Sequence, residues 1–565
     1  MQRGHERGAH VPLPIAQRIA IPPVCRLIPA SAKTRRSGIQ SAPTPSDDQS
    51  EVIRFLSQPA SYRGENIESV ETIATHASVV FLAGDRAIKL KRAVKYSYLD
   101  YSTTERRHRA CEAELVLNRR TAPQLYLAAT PICRTPAGSL GFDGPGEPVD
   151  WVVVMRRFPQ DALFSRLAER GALTTRLTSD LADQIAAFHE IAEAQPDQGG
   201  APGIAAVIQI NDENLRRSPP VGIGTVDIDR LRDRSRAALA KHAALLDQRR
   251  GTGRVRRCHG DLHLGNICLI DGQPTLFDCI EFSDLISCID VLYDLAFLLM
   301  DLRYRGLVRQ CGLVFNRYVD LSRDDDGVPA LPLFMSLRAA VRAHVTAAAA
   351  RLEAPDARDH RLVDARSYFD LALDLLSPKA PCLLVVGGLS GTGKSSVAAA
   401  LAGELGVGAG ARVLRSDVVR KQLFGRAPED RLPAEAYTMT VNKRVYASLE
   451  HRAAALLAAG HSVVIDAVCA RPEERAALAD LARRAGAGFA GVWLQAPEAT
   501  LLARLAQRGK DASDATAEIL RRQLAYDLGV IDWTQIDANQ PRDAVIEAAR
   551  KAFGVPASRN RRTLV

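Results

Sequence analysis

The sequence predicts a two-domain α/β chain: a bilobal α+β unit first, then a unit built on a parallel sheet. Three stretches carry that prediction. Residues 382–405 read CLLVVGGLSGTGKSSVAAALAGEL, an apolar run, a glycine-rich loop and an Ala/Leu-rich helical pattern in that order. Residues 78–82 and 87–90 are β-rich and flank Gly84-Asp85, and a charged helical pattern over 105–120 follows them. Residues 259–266 read HGDLHLGN, with Leu276-Phe277-Asp278 beyond, amid a largely helical stretch. At 565 residues the chain is too long for one hydrophobic core.

Composition narrows the class. Apolar residues make up 47% and charged residues 25%, ordinary for a globular, soluble protein. The net charge of +9 is a small excess of 74 basic over 65 acidic residues and suits anionic small molecules such as nucleotides. No basic run is interleaved with aromatics, so nucleic acid is not the expected partner. Ten cysteines form no C-x-x-C pair and no Cys/His cluster at zinc spacing, which argues against a disulfide framework or structural zinc and for a reducing cytoplasm. No apolar run is long enough to span a bilayer, since Asp294 and Asp301 interrupt 292–302.

Residues 1–50 carry Arg, Pro and Ser without a continuous apolar core and read as a disordered basic extension. A transit peptide or an early-assigned start are the other readings. The folded chain begins near Glu51. Ala87-Ile88-Lys89 closes a hairpin on Gly84-Asp85, and a lysine ending a strand pairs with nucleotide phosphates when a helix supplies a carboxylate to hold it. Glu114 is the favoured carboxylate and Glu112 its rival; Lys91 is the rival of Lys89. Residues 151–155 form a buried strand that turns basic at Arg156-Arg157, a candidate hinge between lobes. Helical patterns occupy 163–170, 177–194 and 228–249.

In HGDLHLGN, Asp261 is placed to take a proton from an acceptor hydroxyl. Asn266 and Asp278 offer oxygen ligands that suit Mg²⁺. His259 and His263 would need a helix to bind zinc at that spacing, and Gly260 and Gly265 oppose one. Asp290 suits a helix cap ahead of the apolar run to Leu302. Helices over 337–351 and 365–376 close this unit, assigned to residues 51–378, and the Pro-bearing linker SPKAP restrains it against the second, 379–565.

The loop GLSGTGKS fits the phosphate-binding pattern G-x-x-x-x-G-K-[ST]. Gly388, Leu389, Ser390, Gly391, Thr392, Gly393, Lys394, Ser395 and Ser396 would cradle the phosphates. Lys394 would reach the β- and γ-phosphates and Ser395 would hold Mg²⁺. The strand over 411–414 leads into Asp417, a candidate base or helix cap, and Arg420, a candidate anion contact. SVVID ends in Asp466, a metal-supporting acid. Phe489 begins another strand. Arg504, Arg508 and Lys510 belong to a basic segment that could act as a lid.

The motifs AIK, HGDLHLGN and FD resemble those of the aminoglycoside phosphotransferase-like kinases over about 51–376. The resemblance implies a protein-kinase-like fold with Asp261 as base, Asn266 and Asp278 on Mg²⁺, and Lys89 on the phosphates. No G-x-G-x-x-G precedes Lys89, so the Gly84-Asp85 hairpin is expected to cover the phosphates instead. GLSGTGKS, RSD with Arg420, VVIDA and the R-x-x-x-R segment resemble the P-loop kinases grouped with zeta toxins, polynucleotide kinases and gluconate kinases over about 381–553. Together they imply a bifunctional phosphotransferase using ATP and Mg²⁺ on small-molecule hydroxyl acceptors. A regulatory protein with one inactive kinase-like domain and a nucleic-acid end kinase are the alternatives.

Overall fold

A computed structural model describes residues 48–62, 67–96, 99–351, 353–507 and 512–554, and every structural statement below concerns these. The extension expected over 1–50 falls almost wholly outside them.

Short β-rich runs separated by tight turns build a six-stranded antiparallel sheet. Its strands are β1 (Val70–Ala74), β2 (Ser78–Ala83), β3 (Arg86–Lys91), β4 (Tyr126–Arg134), β5 (Leu140–Phe142) and β6 (Glu147–Arg156), in the spatial order β1-β2-β3-β6-β4-β5. Lys89 sits opposite Val80 on one side and Val153 on the other. Helix α1 (Thr104–Asn118) packs on this sheet. Its Thr103 cap accepts a hydrogen bond from the Arg106 N–H, and buried Arg107 pairs with Asp150 at 2.7 Å.

The second lobe is helical: α2 (Thr175–Ile191), α3 (Gly200–Arg217), α4 (Thr225–Gly251), α5 (Val291–Tyr304), α6 (Val308–Ser322), α7 (Leu331–Ala350) and α8 (Pro355–Leu375). Residues 291–302 of α5 are buried all round, as its almost unbroken apolar sequence requires. Asp290 caps α5 by accepting the Leu292 N–H and is itself held by Arg249 at 2.7 Å. A short hairpin, Ile267–Ile270 with Gln273–Leu276, lies between the lobes' cores and delivers Phe277 and Asp278.

The third body is a five-stranded parallel sheet of β7 (Cys382–Gly388), β8 (Arg412–Arg415), β9 (Val463–Asp466), β10 (Gly488–Gln495) and β11 (Thr534–Asp537), ordered β8-β9-β7-β10-β11. Helices α9 (Lys394–Ala402) and α10 (Ser416–Leu423) follow β7 and β8. Apolar residues of β7–β9 face helices on both sides, the burial that parallel strands require.

This sheet is docked on the helical lobe. One apolar core runs from Phe315 and Tyr318 of α6 to Leu414 and Val419 around β8. Gly312 of α6 and Gly403 meet closely enough that a Cβ on Gly312 would lie 3.1 Å from the Gly403 Cα. The Asn316 side chain donates to the Ala411 carbonyl at 3.1 Å and accepts the Val413 N–H at 2.7 Å. Arg412, 1% exposed, reaches Asp320 at 2.7 Å and Asp325 at 2.6 Å. No helix among the described residues is long and apolar enough to cross a membrane.

Candidate active sites

The first site opens between the antiparallel sheet and the helical lobe, as a cavity of about 450 Å³. Strand β3 brings Lys89 to its edge, where Nζ lies 2.7 Å from Glu114 Oε1 and 2.7 Å from Asp278 Oδ1. Burial lowers the Lys89 pKa, but Asp278 and Glu114 outweigh it and hold the ammonium well above its ordinary value. Glu114 is fully buried, whereas Glu112 is exposed and pairs with His108. Lys91 takes the other Glu114 oxygen at 2.6 Å and also reaches Glu281 at 2.5 Å. Both lysines therefore meet one carboxylate, and Lys89 is the one that lines the cavity.

The loop HGDLHLGN is braced from behind. Asp294 of α5 accepts the backbone N–H groups of His259 at 3.1 Å and Gly260 at 2.9 Å, and Asp301 accepts that of Leu264 at 3.1 Å. Burial opposes ionisation of Asp294, yet the His189 contact and neighbouring cations pull its pKa down to about 2. His259 Nε2 lies 2.9 Å from the Phe277 carbonyl, tying the loop to the hairpin. Gly260 has φ +83°, and a Cβ there would press on Ile280 and the Ile286 carbonyl. These braces leave Asp261 with one working oxygen. Its Oδ2 accepts the Asn266 amide at 2.8 Å, while buried Oδ1 has no hydrogen-bond partner among the described residues. Burial raises the Asp261 pKa, but His263, together with His259 and Arg342, offsets this and holds it below its ordinary value, so the carboxylate stays ionised.

Asn266 spends its amide N–H₂ on Asp261, which frees its carbonyl oxygen for a cation. Asp278 has one oxygen on Lys89 and the other uncommitted to it. Asp278 takes φ +61°, a left-handed conformation an aspartate adopts at a local energetic cost of about 1 kcal/mol, and its N–H is fixed by the Tyr126 hydroxyl at 3.0 Å. Hard oxygen donors at this spot fit Mg²⁺.

One expectation is corrected here. The Gly84-Asp85 turn adjoins Arg86 and Arg156, the hinge end of the sheet, and is absent from the cavity wall. The turn between β1 and β2 lies past Lys89 instead, and its Thr75 and Ser78 line the cavity.

The second site is a cavity of about 680 Å³ at the C-terminal edge of the parallel sheet. The loop between β7 and α9 needs its first glycine: Gly388 has φ +133°, and a Cβ would run into the Leu494 carbonyl. Lys394 Nζ donates to the Leu389 carbonyl at 3.0 Å, Thr392 Oγ1 donates to the same carbonyl at 2.8 Å, and the Ser390 N–H donates to Gln523. Gly391, Gly393, Ser395 and Ser396 line the cavity with Asp417, Arg420, Asp466 and Arg504. Arg415 Nη2 donates to Ser395 Oγ at 3.1 Å and Nε lies 3.3 Å from Asp466 Oδ2, so a guanidinium spans the two residues that suit Mg²⁺.

Asp417 sits in the first turn of α10, whose cap position is Arg415. Burial raises its carboxyl pKa against the pull of Arg415, with Asp466 adding to the rise. Arg420 donates to the Ala436 carbonyl at 2.7 Å and its buried Nε has no partner among the described residues. Arg504 donates to the Ala538 carbonyl at 2.8 Å. Arg508 and Lys510 of the expected lid lie outside the described residues. Sequence reasoning gave Arg415 no role of its own, and it read Asp294 and Asp301 only as interruptions of an apolar run.

The phosphotransferase enzyme family matches residues 99–326, and an AAA domain family matches 383–527. Uncharacterized proteins of Mycobacterium tuberculosis (Rv2004c) and Mycobacterium bovis (Mb2027c) are each 30% identical to this chain over 491 residues, covering 85% of it and 94% of the relative. Among solved structures, a gluconokinase from Sinorhizobium meliloti 1021 is 25% identical, covers 31% of this chain and 96% of its own, and gives a TM-score of 0.23. A choline/ethanolamine kinase family protein from Mesorhizobium loti is 16% identical, covers 59% and 99%, and gives a TM-score of 0.36.

Proposed function

Since this chain belongs to the family of those mycobacterial proteins, a phosphotransferase domain followed by a P-loop kinase domain, we propose that it is an ATP-dependent kinase with two nucleotide sites. Each passes the γ-phosphoryl group to a hydroxyl of a small-molecule acceptor in the cytoplasm. The domains span 51–378 and 379–565. The observation that carries the reading is the layout of the first cavity's wall and of the loop behind it, where Asp261 is not itself a lining residue but holds Asn266, which is. Lys89, held by a buried carboxylate, stands beside Asp278, and an ionised Asp261 in the braced loop keeps one oxygen unclaimed.

In the first domain Lys89, steadied by Glu114, pairs with the nucleotide phosphates, and Asp261 takes the acceptor's proton as the phosphoryl group arrives. Asn266 and Asp278 would hold Mg²⁺, which when bound offsets the phosphates' charge. In the second, the 388–396 loop presents its N–H groups to the phosphates, Lys394 reaches the β- and γ-oxygens, and Ser395 with Asp466 would hold the metal. Asp417 accepts the proton, its raised pKa suiting a base. Arg420 meets an acceptor anion, and Arg504 with Arg508 brings positive charge over the transferring group. In both, positioning and charge neutralisation supply most of the rate.

A second reading has one observation in its favour. Arg415 engages Ser395 and Asp466, the two residues that would hold the metal, an arrangement that suits a second domain that senses nucleotide and governs the first. Transfer of labelled γ-phosphate into a fractionated metabolite extract separates the two, comparing the intact chain with Asp261→Ala and Lys394→Ala. Loss of a different labelled product in each variant supports two kinases. Unchanged labelling in both, with nucleotide still bound, sinks that reading, and loss of one product in both variants favours the sensor.

A further inference from the structure

The wall of the first cavity formed by the helices carries four arginines, Arg166, Arg305, Arg342 and Arg361, against two carboxylates, Glu169 and Asp301. Both carboxylates are spoken for. Asp301 accepts the Leu264 N–H at 3.1 Å through one oxygen and the Arg305 Nε at 3.0 Å through the other. Glu169 pairs with Arg166 at 2.8 Å and lies 3.8 Å from Arg305. Arg361 pairs with Glu353. A cationic acceptor would find no unengaged acid on this wall.

Arg342 is different. Only 9% exposed, it lines the cavity and makes no ion pair among the described residues. Its guanidinium rests 5.4 Å from the centre of the Tyr368 ring, which stacks on Tyr304 at 3.7 Å and so fixes the arginine's direction. It shares the cavity lining with Asn266, whose amide donates to Asp261 at 2.8 Å. A desolvated guanidinium without a carboxylate is expensive to keep, and a planar fork suits two parallel hydrogen bonds to a carboxylate or phosphate.

We propose that the acceptor at this site is an anionic hydroxyl compound, a hydroxy acid or a sugar phosphate, whose carboxylate or phosphate is gripped by Arg342 beside Asp261. The proposal rests on the reading of this cavity as a phosphoryl-transfer site. Arg305 and Arg361 flank the grip and add positive potential, and the hydroxyl to be phosphorylated lies toward Asp261.

The test uses the full chain carrying Lys394→Ala, so that only the first site transfers. Labelled ATP is offered with glycerate and gluconate, with glycerol 3-phosphate and glucose 6-phosphate, and with glycerol, choline, ethanolamine and glucosamine. Expected are Asp261-dependent labelling confined to the acids or the phosphates, and an acceptor KM raised about 10- to 100-fold by Arg342→Met with the KM for ATP within about twofold. Arg342→Lys should fall between, and Arg361→Met, at a more exposed position, should raise the acceptor KM more mildly. Asp261-dependent labelling of amines or neutral polyols at equal efficiency overturns the anion assignment and leaves the kinase reading standing. No Asp261-dependent labelling of any compound, with Lys394 intact as well as replaced, ATP bound and the fold intact by circular dichroism, overturns both.

Discussion

Replacing Arg412 by Met tests how firmly the two domains are joined. Arg412 stands on β8 of the parallel sheet, yet its charge partners Asp320 and Asp325 and its amide partner Asn316 belong to the helical lobe. Asp325 keeps Arg452 at 3.4 Å, whereas Asp320 has no other ion pair among the described residues. Burial already raises the Asp320 pKa against the pull of Arg412, and methionine removes that pull. Breaking a buried pair from one side is worth about 3–5 kcal/mol. With an unfolding entropy near 2.1 cal/mol/K per residue, residues 382–554 melting alone would shift by about 8–14 °C, and the whole chain melting as one by about 3–4 °C. Calorimetry reads the difference. The variant should lose less stability at pH 5 than at pH 8, because a carboxyl whose folded pKa is raised stabilises the fold only while it holds its proton. Asp320→Asn in the same chain should restore part of the loss. A shift below about 1 °C, or a double variant no better than the single, refutes the account of the interface.

Asp261→Asn keeps the Asn266 contact and removes the proton acceptor, so kcat at the first site should fall about 10²- to 10⁴-fold with ATP affinity nearly unchanged, by single-turnover transfer and nucleotide titration. Lys89→Met should raise the KM for ATP, whereas Lys91→Met, which takes the cation from one oxygen of Glu114 and leaves Glu281 only the Tyr101 hydroxyl, should lower the melting temperature and leave that KM within about threefold. The acid limbs of the two activities should differ. Asp261 is held below and Asp417 above the ordinary aspartate value, and a base must be deprotonated, so the Lys394-dependent activity should fade at a higher pH on acidification than the Asp261-dependent one. Burial pushes the thiols of Cys111, Cys268, Cys279, Cys311 and Cys469 up to about 12, so iodoacetamide should label these only after denaturation, as mass spectrometry of the native and unfolded chain would show.

What was legible in the sequence is what local backbone chemistry dictates. GLSGTGKS and HGDLHLGN declare themselves because glycines at fixed offsets, such as Gly388 and Gly260, answer a demand made within a few residues. The two-domain architecture follows from those motifs and from the change of hydrophobic period between them. Long-range braces leave no such trace. Asp294 and Asp301 look like polar interruptions of an apolar helix, and only the tertiary fold turns them toward the loop N–H groups. The chemistry of Gly84-Asp85 announces a turn but not which end of the sheet meets the cavity, since that depends on strand register. Arg342 carries no local signature at all, and the motif RSD gives Arg415 no role, because what each does arises from neighbours far away in the chain.

The Asn316 carboxamide, bonded to the backbone on both sides of Arg412, has a consequence for synthesis and for cutting the protein apart. Strand β8 is the rim of its sheet, and an open rim recruits foreign strands. The helical lobe leaves the ribosome first, so its α6 surface is ready when β8 emerges, acting as an intramolecular chaperone for the later domain. Severed from that lobe, the parallel-sheet domain would expose a sticky rim and an uncovered apolar face, and should aggregate more readily than the whole chain.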